Sequence, residues 1–155
     1  MSGTLAVMLG KHDGAVFSFH DRWWLPAPPD AVRDVLVDLE SYPLWWPQVV
    51  AVASLGPDDA RALCRSTLPY TLDLVLHAVS RELPVLEVAV AGHLSGWVRW
   101  RLAAERGGTG LHLAQQVTVH GPLAPLAAGL RPLARWNHRR MLAGGLAGLR
   151  AHLAK

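Results

Sequence analysis

Apolar and polar residues begin to alternate at Val16, where Phe17, Phe19, Asp21, Trp23 and Leu25 interleave with Ser18, His20, Arg22 and Trp24. Side chains two apart share one face of a strand, so this run predicts a β-strand with a mostly apolar face. It must stop at Pro26-Ala27-Pro28-Pro29, because proline has no amide hydrogen to give to a ladder. Pro29 or Asp30 then opens a helix: Val32, Val35, Leu36 and Leu39 recur at helical spacing, with an acid in the first turn. Ser41-Tyr42-Pro43 breaks that helix, and a second short turn carries Trp45 and Trp46 as far as Pro47.

Beyond that bend the pattern is strand-like over about 48–56, 60–68, 70–82, 85–93, 95–105 and 110–120. Gly56-Pro57-Asp58-Asp59 and the glycine-rich 106–110 read as hairpin loops, and Pro69, Pro84 and Gly92 as tighter bends. From Pro122 to Lys155 the period changes. Leu126, Leu130, Leu133, Ala134, Asn137, Met141, Gly145 and Leu149 fall on one face of a long helix, which must meet something apolar. Pro125 suits its start, and Pro132 bends it or marks a break after a short first piece. Gly144, Gly145 and Gly148 weaken a helix, so they imply either close approach to another backbone or room for a ligand. Residues 1–15 carry little pattern and read as a weakly ordered arm.

Strand parity names the side chains that can face a shared interior. Leu94, Gly96, Val98, Trp100 and Leu102 share a face, opposite Arg99 and Arg101; Leu72, Leu74, Leu76 and Ala78 oppose Asp73 and His77. Leu111, Leu113, Gln115, Val117 and Val119 form a third inward row, in which Gln115 is the polar exception. A buried amide needs a partner, either a protein group or a ligand oxygen. Asn137 raises the same question from the helix, one turn from Met141, and His138 lies at the margin of that face.

Several motifs are similar to those of the START-like superfamily (SRPBCC), which includes polyketide cyclases/dehydrases and coenzyme-Q-binding lipid carriers. The similarity runs through Trp24 to Pro47, Leu68-Pro69-Tyr70, Gly92-His93-Leu94-Ser95-Gly96 leading to Trp100-Arg101-Leu102, Gly108-Thr109 and Arg135-Trp136-Asn137-His138. It covers residue 16 onward, with one departure: relatives often carry Asp where this chain has His93. The resemblance implies an α+β helix-grip fold. A curved antiparallel sheet of about seven strands would wrap around the long C-terminal helix, with two short helices after the first strand and a cavity between sheet and helix.

Size and charge narrow the classes. One domain over residues 1–155 accounts for the length, and a hydrophobic fraction of 51% suffices for a core and a cavity lining. The net charge of +3 comes with scattered arginines rather than a nucleic-acid footprint; Arg131, Arg135, Arg139 and Arg140 alone approach a cluster, either a solvated helix face or a contact for an acidic carrier protein or membrane lipid. The single cysteine, Cys64, fits a reducing, cytoplasmic setting and sits in an apolar strand pattern, as a buried inert thiol would. The eight histidines lack zinc-ligand spacing, no phosphate loop or nucleophile elbow occurs, and neither a metal nor a cofactor is expected.

These residues suggest a hydrophobic small-molecule ligand, polycyclic or polyketide-like, in an aromatic cavity lined by Tyr42, Trp46, Leu74, Leu76, Gly96, Val98, Trp100, Leu113 and Met141. Resemblance to the cyclases implies ring closure or dehydration, with Gln115, Asn137 and His138 polarising a carbonyl or moving a proton. The alternative is a non-catalytic binding or transfer protein for a quinone, lipid or isoprenoid, and neutral amides with one histidine leave both open.

Overall fold

The computed structural model describes residues 15–65 and 70–155; the expected N-terminal arm, except Ala15, and the Leu68-Pro69 bend lie outside the described residues. β1 (Val16–Leu25) is followed by α1 (Pro29–Val37) and a 3-10 helix (Leu39–Leu44). Six strands come next: β2 (Val49–Ser54), β3 (Asp59–Arg65), β4 (Thr71–Ser80), β5 (Val85–Gly92), β6 (Leu94–Glu105) and β7 (Gly108–Val119). The chain ends in α2 (Leu123–Gly129) and α3 (Arg131–Leu153).

All seven strands form one antiparallel sheet in the order β1-β7-β6-β5-β4-β3-β2. Its curvature is helped by irregularities between Val49 and Ala51 and between Ala78 and Ser80, where an extra residue on one strand bends the ladder. The β6–β7 hairpin turns through Arg106 and Gly107, both at positive φ (51° and 76°), the geometry whose twist matches that of flanking strands. The core lies between the sheet and α3. Leu72, Leu74, Leu86, Trp100, Leu102, Leu111 and Leu113 come from the strands, and Leu142 and Leu149 from the helix.

The break at Pro132 occurs as one of the two expected forms: α2 stops at Gly129, and α3 restarts with Pro132 in its first turn, where a missing amide hydrogen costs nothing. The first helix ends earlier than the periodicity predicts. α1 stops at Val37 and Leu39 belongs to the 3-10 helix, while Trp45 and Trp46 follow that helix rather than forming a turn of their own. At that end the Tyr42 hydroxyl, buried beneath the bend, donates to the Leu36 carbonyl at 2.6 Å and satisfies one of the open carbonyls of α1.

α3 docks against this aromatic bend through its glycines. A Cβ at Gly145 would stand 2.6 Å from Trp46 Cε2, and one at Gly148 would overlap the Trp45 carbonyl. The expected close approach to another backbone holds for Gly148 alone; Gly144 and Gly145 instead make room for the Gln48 and Trp46 side chains. Thr109, fully buried at the start of β7, donates its hydroxyl to the Ala27 carbonyl at 2.6 Å and fixes the proline-rich link between β1 and α1.

Candidate functional site

Between the sheet and α3 lies a cavity of about 320 Å³. Parity delivers its walls: Leu72, Leu74 and Leu76 from β4, Val98 and Trp100 from β6, and Leu113 and Gln115 from β7. Tyr42 and Trp46 close it from the bend, and His138, Met141 and Leu142 from the helix. Its outer end reaches the β2–β3 hairpin and the 3-10 helix, where Asp38, Glu40, Asp58 and Arg81 stand at the surface.

The aromatic side is rigidly held. Trp45 and Trp46 stack at 5.6 Å, Tyr42 lies within 6.0 Å of both rings, and Trp23 tilts against Trp100 at 6.0 Å. Trp46 also donates its indole N–H to the Met141 carbonyl at 2.9 Å. Tyr42 presents only its ring, since its hydroxyl is spent on Leu36, and burial, reinforced by the Asp38 charge, raises its pKa further.

Two polar groups face the interior. Gln115 is buried on the inner face of β7 and makes no side-chain hydrogen bond to another described residue, so its amide is directed at the cavity. His138 lies over Phe19 with ring centroids 3.7 Å apart, and its Nε2 atom is buried without a partner. Burial, and then the charge of Arg135, push the imidazole down to about 4, so it is neutral near pH 7. Cys64 also lines the cavity, and burial pushes its thiol up to about 11, which keeps the nucleophilic thiolate scarce.

Two expected site residues are placed elsewhere. Gly96 does not reach the cavity wall: at φ 148° it pairs with Val117, and any Cβ there would overlap the Gln116 carbonyl. Asn137 is buried but lies on a second, smaller chamber of about 100 Å³, and its side-chain N–H donates to the Tyr70 hydroxyl at 3.2 Å. That chamber lies beneath α2 and the start of α3, and shares Leu72, Leu94, Val117, His138 and Met141 with the main cavity. The lining also includes Leu36, Ala62 and Val90, which the expected set omitted; alternation in β3 and β5 already contained the signal for the last two. His93, the departure noted above, accepts the Asp73 backbone N–H on Nδ1 at 3.0 Å, bracing the turn between β5 and β6 away from the cavity.

Residues 18–154 match the sequence profile described as polyketide cyclase / dehydrase and lipid transport. The chain belongs to that family. Family membership and geometry agree on a helix-grip architecture whose interior is the cavity just described. Solved structures of the same fold include a protein from Thermus thermophilus (16% identity, TM-score 0.78, covering 89% of this chain and 97% of that one). A START superfamily protein from Mycobacterium smegmatis aligns with 14% identity and TM-score 0.74 over 88% of this chain and 97% of its own. The Zhui aromatase/cyclase from a Streptomyces species aligns with 12% identity and TM-score 0.72 over 90% and 94%. No curated protein matches the chain. Among the described residues, no helix is long and apolar enough to cross a membrane, and no cluster of His, Cys, Asp and Glu could hold a metal ion.

Proposed function

We propose that this family member binds an oxygenated, polycyclic or polyketide-like small molecule between sheet and helix, with the carbonyl or hydroxyl end of the ligand at Gln115 and His138. The observation that carries this reading is the Gln115 amide, which makes no side-chain hydrogen bond to another described residue and lies among apolar side chains in the cavity of about 320 Å³. A polar group in that position lowers its free energy when a ligand oxygen arrives, whereas an apolar ligand leaves it unsatisfied. The neighbouring aromatase/cyclase fold fits ring closure or dehydration as the reaction. Apolar walls would hold a flexible chain folded, the Gln115 amide would polarise a carbonyl, and the neutral His138 ring would border the reacting end of the ligand as a weakly basic wall.

A second reading, a non-catalytic carrier, is favoured by one specific observation: Asn137 is engaged with Tyr70 on the smaller chamber, so Gln115, Asn137 and His138 do not share one wall of the main cavity. Native mass spectrometry of freshly purified protein, followed by titration with matched oxygenated and deoxygenated polycyclic ligands, tests the common core of both readings. Preference for the oxygenated member supports the site, and equal affinity rejects it. Product formation from a poly-β-ketone chain separates the enzyme from the carrier.

A further inference from the structure

Leu126, Leu130 and Leu133 line the second chamber, yet they are 54%, 45% and 40% exposed, and Trp136, about one turn further on, is 47% exposed. The roof of that chamber is therefore a thin apolar wall with solvent on its other side. Its charge has one sign. Arg131, Arg139 and Arg140 are exposed around it, and the chain contains no acidic residue after Glu105, so neither α2 nor α3 can neutralise them from within. None of the three takes part in an ion pair among the described residues. Arg140 instead lies over the Trp136 ring at 5.6 Å.

We propose that the α2–α3 corner docks on a membrane surface carrying anionic phospholipid headgroups. Arg139 and Arg140 meet the phosphates, while Leu130, Leu133 and Trp136 enter the boundary between headgroups and acyl chains. Charge complementarity selects an anionic partner. Protruding leucines beside an arginine-stacked indole favour a fluid surface over a shaped protein groove, because an indole and aliphatic chains both lower their free energy at that boundary. Docking would set the second chamber against the bilayer, and its wall residues shared with the main cavity, Leu72, Leu94, Val117, His138 and Met141, then mark an apolar route inward. The route rests on the ligand-binding reading above; docking itself does not.

The test is co-sedimentation of the full chain with phosphatidylcholine vesicles and with vesicles that also contain phosphatidylglycerol, at low and physiological salt. Binding is expected on the anionic vesicles, weak on the neutral ones, and reduced by salt. Arg139→Gln and Arg140→Gln should each weaken it about fivefold, and Trp136→Ser should weaken it without changing the melting temperature. Equal binding to both vesicle types, no binding to either, or unchanged binding of these variants would overturn the proposal. So would arginine-dependent binding to a purified acidic acyl carrier protein in place of vesicles, which would assign the corner to a protein partner. Ligand affinity measured without vesicles reports on the cavity separately, so failure of docking and failure of the ligand reading are distinguishable.

Discussion

The Trp46 indole N–H donates to the Met141 carbonyl across 2.9 Å, joining the aromatic bend after α1 to the middle of the C-terminal helix. That contact exists because Gly145 has no side chain at the point where the indole lies. Gly145→Leu is expected to push helix and bend apart and to cost at least the roughly 1–3 kcal/mol typical of overpacking. Gly148→Ala should be comparably harmful, since its Cβ would overlap the Trp45 carbonyl, a backbone atom that cannot rotate away. Chemical denaturation measures both; wild-type stability in either variant would mean that α3 does not sit as described.

Gln115→Leu should leave the ligand-free protein as stable as wild type, or slightly more so, because the amide it removes has no partner among the described side chains. Affinity for an oxygenated ligand should fall by about 0.5–1.5 kcal/mol, while a deoxygenated analogue keeps its affinity. Asn137→Leu should do the opposite. It strips the Tyr70 hydroxyl of its donor and should lower stability by about 1–3 kcal/mol with little effect on ligand preference. Calorimetric titration beside thermal melts distinguishes the two patterns.

The His138 imidazole is pushed down to about 4 in the folded protein from an ordinary value of 6.5. Between those values the unfolded chain binds the proton and the folded chain does not, so stability is fully present above about pH 6.5 and declines as pH falls toward 4. His138→Phe, which retains a ring against Phe19, should flatten that part of the melting-temperature profile relative to wild type. Parallel profiles for the two proteins would show that His138 does not titrate this way.

Thr109→Val preserves the shape of a fully buried side chain and deletes the hydroxyl that satisfies the Ala27 carbonyl. The expected cost is about 1–3 kcal/mol, read from denaturant midpoints, because a buried acceptor is left without its donor. A neutral outcome would require water to reach Ala27.

The parts of this fold that are legible in the sequence are those governed by short periods. Alternation alone sends Trp100 and Leu113 inward and Arg99 outward, and proline chemistry narrows Pro132 to a bend or a break, of which the break is observed. The parts that are not legible depend on partners far away in the chain. Asn137 shares a helix face with Met141, yet its amide donates to Tyr70, just before β4, and lies on the smaller chamber. Gly96 obeys the parity of β6, but the neighbouring Gln116 carbonyl occupies the space where a lining side chain would begin. A nearer case is Tyr42, whose bond to Leu36 six residues back is a side-chain contact that helical periodicity does not encode.

A chamber walled by leucine, valine and tryptophan, and interrupted inside by one amide and one imidazole, holds water poorly when nothing else fills it. A ligand that enters it therefore displaces few well-anchored molecules and gains dispersion contacts with the wall. Its arrival should release heat at room temperature and lower the heat capacity of the complex, a calorimetric signature set by the dryness of the wall rather than by any single contact.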